Sequence, residues 1–192
     1  AEMGGEVPER PVVFMKNPAS VAPQDGAIVI PGICKLNGPQ VDYEGELAVV
    51  IGETCREIPE SHALEIVSHY AVANDVSARW WQKEGSGGQF VRGKSFDTFC
   101  PIGSVTPLAE VDLEELRVRT LVNGEVHQDA PVQDMVFPIP VLIEYIKRFM
   151  TLEPGDVIAT GTPSGIGPLA DGDQVVLEVA GVGGVANGVR QG

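Results

Sequence analysis

The chain has 192 residues, 43% of them hydrophobic and 21% charged, a composition that suits a globular protein with a core of its own. Thirteen Lys and Arg against twenty-seven Asp and Glu leave a net charge of −14. That balance argues against nucleic acid and anionic membrane as partners, since both require a basic face, and admits an anionic ligand only in a pocket made locally positive.

No apolar run is long enough to span a bilayer. Cys34, Cys55 and Cys100 form no CxxC pair, and so sparse and odd a set points to reduced thiols in an intracellular protein, cytoplasmic or in a mitochondrial matrix. The opening Ala1-Glu2-Met3-Gly4-Gly5 is neither an initiator methionine nor a signal peptide. Residues 1–10 therefore read as the remnant of an upstream segment or lid on a single domain spanning 1–192.

Residues 12–16 read as a short strand and residues 27–30 as a second, with loops rich in Pro, Ser and Gly on either side. Residues 41–51 (Val-Asp-Tyr-Glu-Gly-Glu-Leu-Ala-Val-Val-Ile) carry a β-branched apolar run bounded by Gly52 and read as a buried strand. Strand side chains alternate, so Glu44 and Glu46 share a face at its entrance. Two carboxylates beside an apolar run are costly unless something positive binds them. A divalent cation fits, and oxygen-only ligands favour Mg2+, Mn2+ or Ca2+ over zinc. A solvated strand end with two exposed glutamates is the alternative. Asp42 has the same parity but lies one step further out, and reads as solvated.

Residues 61–69 read as a short helix carrying His62 and His69, and residues 70–74 as a buried strand that ends at a third carboxylate, Asp75. Residues 76–84 fit a helical turn bearing Arg79 and Gln82. The following Gly85-Ser86-Gly87-Gly88 suits either a lid over a pocket or a surface hairpin tip. Lys94, within Arg92-Gly93-Lys94-Ser95-Phe96-Asp97, fits a cation beside an oxyanion with Asp97 orienting it, or a structural ion pair with Asp97.

Residues 116–122 and 125–128 alternate around Asn123-Gly124, a hairpin signature. Helical spacing runs over residues 139–149, and strands are expected over 156–160 and 175–179, with a glycine-rich strand last. The turn 161–167 offers backbone N–H groups and the Thr162 hydroxyl to a carboxylate; without a GK[ST] ending it does not imply ATP. None of the histidines lies at zinc spacing from a cysteine or carboxylate, and Ser164 lacks a nucleophile-elbow context. Short strands outnumber helices without regular alternation, which predicts an α+β, mainly β domain with a rolled or barrel-like sheet.

Four blocks in order, Val41-Asp42-Tyr43-Glu44-Gly45-Glu46-Leu47, Asn74-Asp75-Val76-Ser77-Ala78-Arg79, Gly93-Lys94-Ser95-Phe96-Asp97 and Gly161-Thr162-Pro163-Ser164-Gly165, resemble the fumarylacetoacetate hydrolase family. The resemblance implies the family's mixed β-roll, a homodimer, and Mg2+ or Mn2+ held by Glu44, Glu46 and Asp75. It further implies that Arg79, Gln82, Lys94 and Thr162 meet the carboxylate and oxo groups of a 2-oxo or 2,4-dioxo acid, with Lys16 lining the pocket. Such enzymes cleave carbon–carbon bonds hydrolytically, decarboxylate or tautomerise. Hydrolytic members carry a His-x-x-Glu dyad on a lid; Glu2 matches its glutamate, and the histidine would lie before Ala1. The first expectation is therefore a metal-dependent acylpyruvate hydrolase using Lys94 and Glu2. The second is a decarboxylase or isomerase of dicarboxylic acids, with Arg79 and Arg92 available to a second carboxylate. The third is a non-catalytic metal and 2-oxo-acid binding module.

Overall fold

The computed structural model describes residues 8–38 and 40–192. In chain order its elements are β1 (Val21–Ala22), β2 (Ile28–Ile30), β3 (Val41–Tyr43), β4 (Gly45–Ile51), β5 (Val67–Asn74), β6 (Ser77–Ala78), α1 (Arg79–Gln82), α2 (Val91–Lys94), β7 (Cys100–Pro101), β8 (Thr106–Pro107), β9 (Arg117–Val122), β10 (Glu125–Pro131), α3 (Ile139–Lys147), β11 (Val157–Ala159), β12 (Gly167–Pro168), β13 (Gln174–Val179) and β14 (Gly183–Gln191). The fold is α+β and mainly β.

Two sheets carry the core, one ordered β10-β9-β13-β14-β2 and the other β11-β4-β5-β8; a smaller sheet, β12-β3-β6, flanks them. Pairing is antiparallel except for β14 with β2 and β1 with β7. The apolar run of β4 is buried on both faces, as a continuous β-branched stretch requires, whereas β9 and β13 alternate inward and outward residues. Leu47, Val49, Tyr70, Val72, Val175 and Leu177 meet in one apolar cluster. The β9–β10 hairpin turns on Asn123 (φ 52°) and Gly124 (φ 84°), the left-handed pair that an Asn-Gly hairpin demands. In α3, Ile139, Ile143 and Ile146 are the buried face, as the helical spacing predicts.

Three expectations are corrected. Residues 11–17 join no sheet; the stretch follows Pro11, which lacks a donor, and leaves Val12 and Met15 exposed. Residues 61–69 are not one helix. A 3-10 helix spans Glu60–Ile66 and strand β5 begins at Val67, so His69 lies in the sheet opposite Val50. The β-branched Val67 and the ladder offered by β4 outweigh the weak helical pattern. Residues 41–51 break at Glu44, with β3 paired to β6 and β12 while β4 pairs to β5 and β11.

Gly45 sits at that break because the five-stranded sheet, through β9 and β10, passes close by. A Cβ there would lie 2.2 Å from Thr120 Oγ1 and 3.0 Å from Gln128 Oε1, both on fully buried side chains. Gly45→Ala is therefore expected to lower stability by about 1–3 kcal/mol through overpacking, read as a lower denaturant midpoint at unchanged m-value. An unchanged midpoint would mean that the sheets separate freely at this point.

No helix among the described residues is long and apolar enough to cross a membrane.

Candidate metal and substrate centre

The strand break turns the Glu44 side chain toward the end of β5. The Glu44 N–H donates to Asn74 Oδ1 (3.0 Å), and the Asp75 N–H donates to the Glu44 carbonyl (2.9 Å). Register places Gly45 opposite Asn74 and Glu46 opposite Ala73. One oxygen from each of Glu44, Glu46 and Asp75 consequently lies within 4.8 Å of the others, and all three residues are buried.

Three cations converge on these acids. Lys94, only 2% exposed, donates from Nζ to Glu44 Oε2 (2.8 Å), Asp75 Oδ2 (2.5 Å) and Ser77 Oγ (2.7 Å). Lys16 Nζ reaches Asp75 Oδ1 (2.6 Å) and the Val76 carbonyl (3.3 Å). Arg79 donates from Nε to Asp42 Oδ2 (2.6 Å), and its Nη1 lies 2.6 Å from Glu44 Oε1 and 3.0 Å from Gln82 Oε1. Glu46 accepts the Gly161 N–H at 2.8 Å. The Phe14 ring centroid lies 4.7 Å from Lys94 Nζ, and Phe14 packs on Phe90.

Asp42, Glu44, Glu46 and Asp75 thus face Lys16, Arg79 and Lys94, an excess of one carboxylate. The imbalance falls on Glu46, whose pKa is pushed up to about 8 by burial first and by Asp75 and Glu44 next. Burial alone would also raise Asp75, but Lys16 and Lys94 outweigh it and hold that carboxyl below its ordinary value. Burial would lower Lys94, and Asp75 and Glu44 outweigh it, so the ammonium holds its proton more tightly than usual.

Other expectations are revised at this site. Asp42 is not solvated: it is 1% exposed and holds Arg79, with Gln40 Nε2 donating to both its oxygens at 3.0 Å. Asp97 is exposed and does not hold Lys94; Glu44, Asp75 and Ser77 do. The Thr162 hydroxyl donates to the Gly45 carbonyl (2.9 Å) and accepts from Gln128 Nε2 (2.8 Å), so it braces β4 from within. Arg92 lies over the Trp81 ring (5.7 Å) and donates to the Gly85 carbonyl (3.1 Å), which ties down the glycine segment and engages the cation expected for a second carboxylate. Glu2 lies outside the described residues. Sequence reasoning missed Ser77, offered the N–H groups of the 161–167 turn to a carboxylate without naming Glu46, and had only the strand parity of Asp42 with Glu44 to hint at its place.

The donor set suits a divalent ion. Three hard oxygen donors converge, and Glu46 is pushed toward its neutral form by burial first and then by the charges of Asp75 and Glu44, which a cation would offset. Glu44, Glu46 and Asp75 are the residues that would hold it.

A pH dependence follows. An acid whose folded pKa is raised costs stability as pH rises between its unfolded value, near 4.5, and about 8, because the unfolded chain ionises first. Metal binding needs the carboxylate, so it is expected to release about one proton per ion below pH 8 and to tighten up to that pH. Calorimetry of Mn2+ binding in buffers of different ionisation enthalpy would count the proton. Metal affinity flat from pH 6 to pH 8.5 would remove the account.

The fold and this constellation define a class, and similarity to known proteins gives it a name. The family described as fumarylacetoacetate (FAA) hydrolase C-terminal matches residues 1–190, and the chain belongs to it. Its members include enzymes of several reaction types. The structure is similar to a 5-carboxymethyl-2-hydroxymuconate delta-isomerase from Mycobacterium smegmatis, with TM-score 0.89, 41% identity, and coverage of 100% of this chain and 73% of that one. It is also similar to a maleylpyruvate hydrolase from Sphingobium sp. SYK-6 in complex with manganese(II) and pyruvate, with TM-score 0.82, 36% identity, and coverage of 93% and 64%. In sequence it is 42% identical over 197 residues to an oxaloacetate tautomerase of Bacillus subtilis, covering 97% of this chain and 64% of the relative.

Proposed function

We propose that this protein is a divalent-metal-dependent enzyme of 2-oxo acids whose central event is formation of an enolate, with isomerisation or tautomerisation as the net reaction. The observation that carries this reading is a cluster of three buried carboxylates, two of which, Glu44 and Asp75, hold the buried Lys94 ammonium. Bound there, Mg2+ or Mn2+ would serve as a Lewis acid toward the carboxylate and keto oxygens of a chelating substrate.

The chain's own residues do the rest. Lys94 supplies a fixed positive charge, in a site from which water is largely excluded, for the oxygen on which negative charge develops. Lys16 keeps Asp75 ionised. Arg79 orders Glu44 and presents its remaining N–H groups toward a substrate carboxylate. Proton movement between C3, the carbon next to the keto carbon, and the enol oxygen completes the tautomerisation, so no activated water is needed.

Hydrolytic cleavage of an acylpyruvate is the second reading, favoured by the likeness to the maleylpyruvate hydrolase with bound manganese and pyruvate. It shares the enolate and adds attack of water on the distal carbonyl. A homodimer belongs to both readings and rests on the family resemblance.

The test follows the enol absorbance of oxaloacetate and of acetylpyruvate with Mg2+, with Mn2+ and with chelator. Metal-dependent loss of the oxaloacetate enol without CO2 supports the first reading. Acetate and pyruvate formed from acetylpyruvate would transfer the assignment to the second. CO2 release from oxaloacetate would identify a decarboxylase. No turnover of either acid with either metal would overturn the enolate proposal.

A further inference from the structure

We infer that Asp42, which lies outside the carboxylate triad, is a positioning residue that holds Arg79 ready for the substrate carboxylate. The inference rests on the 2-oxo-acid reading given above. Asp42 is 1% exposed on β3, and its Oδ2 accepts from Arg79 Nε at 2.6 Å. Arg79 is itself buried, and its planar fork divides its donors unequally. Nε serves Asp42, Nη1 serves Glu44 and Gln82, and Nη2 is buried with no hydrogen-bond partner among the described residues.

A buried guanidinium nitrogen without a partner is costly, and a carboxylate from outside is the group its geometry matches. The second anchor of Arg79, Glu44, is also a candidate ligand of the ion. Once Glu44 turns its charge to a cation, Asp42 is the one anionic anchor that Arg79 retains from the described ion pairs. Gln40 in turn donates to both oxygens of Asp42 and fixes the carboxylate plane. Asp42 touches neither ion nor substrate in this scheme; it acts through Arg79.

The experiment measures two affinities by calorimetry, Mn2+ for the metal-free protein and oxalate for the Mn2+-loaded protein, in the native chain, Asp42→Asn, Arg79→Lys and the double variant. Oxalate copies the chelating end of a 2-oxo acid. The expected result is a loss of roughly tenfold to a hundredfold in oxalate affinity for Asp42→Asn, the size of one charge-assisted hydrogen bond, with Mn2+ affinity held within about threefold. The double variant should bind oxalate no more weakly than Arg79→Lys alone, since Asp42 has no route to the ligand except that arginine. In turnover, Asp42→Asn should raise KM more than it lowers kcat.

Oxalate affinity unchanged in Asp42→Asn, or falling only in step with Mn2+ affinity, would overturn the inference and leave the proposed function standing. Failure of the Mn2+-loaded native chain to bind oxalate would remove the 2-oxo-acid reading itself. If Asp42→Asn does not fold, Gln40→Ala removes the donor shared by both Asp42 oxygens at an exposed residue, and a normal oxalate affinity in that variant with Arg79→Lys also normal would overturn the scheme.

Discussion

Lys94→Met should unfold well below the native chain when metal is absent and should lose most of its turnover when metal is present. The ammonium is buried and bonded to Glu44, Asp75 and Ser77. Methionine fills a similar volume and keeps the contact with Phe14, so the change isolates the charge. Glu44 retains Arg79 and Asp75 retains Lys16, but the four acids then face two cations. Removing one partner of a buried pair costs about 3–5 kcal/mol, which for a chain of this size lowers Tm by roughly 10 °C. A divalent ion replaces the missing positive charge, so Mn2+ should restore more stability to Lys94→Met than it adds to the native chain. Turnover should still fall by about 100- to 1,000-fold, the usual consequence of deleting a group that stabilises a developing oxyanion. Thermal unfolding with and without Mn2+, beside the enol assay, reads both effects. Native-like stability in the metal-free variant, or turnover within tenfold of native, would remove Lys94 from its assigned place.

Glu46→Gln should move stability and metal binding in opposite directions. Its carboxyl is already pushed up to about 8, so at higher pH the folded protein holds an ionised group it would prefer to neutralise. Glutamine keeps an acceptor for the Gly161 N–H, bonded at 2.8 Å in the native chain, and carries no charge. The metal-free variant should therefore gain of order 2–4 kcal/mol above pH 8, and little near pH 5, where the native carboxyl is largely protonated in the folded state. Affinity for Mn2+ should fall by at least about 100-fold, because an anionic ligand is replaced by a neutral one. Denaturant midpoints at pH 5.5 and 8.5, with a parallel metal titration, decide the matter. A loss of metal-free stability at both pH values would show that the Glu46 carboxylate is structural.

The mainly β, α+β class was legible because β-branched runs, an Asn-Gly turn and dense Gly and Pro leave few other solutions; the β9–β10 hairpin and the buried face of α3 fell where local chemistry put them. Residues 67–69 and 12–16 were misread because their patterns are weak, and the choice between helix, strand and unpaired chain was made by neighbours far away in sequence. The site divides along the same line. Glu44, Glu46 and Asp75 were readable as a group, since strand parity aligns the first two and a buried strand must deliver its terminal acid somewhere near its partner.

Which cations answer those acids was not readable, because the pairing depends on chain segments separated by 19 to 59 residues. A local reading paired Lys94 with Asp97, three positions away, and left Asp42 in water. Pattern along the chain was enough to find Glu44, Glu46, Asp75 and the strands that carry them. That Asp42 is dry and bound to Arg79, that Lys94 serves Glu44 and Asp75, and that Glu46 is pushed toward its neutral form emerges once the sheets pack together. Periodicity is a property of neighbours along the chain, whereas desolvation and Coulomb pairing depend on everything that packs nearby.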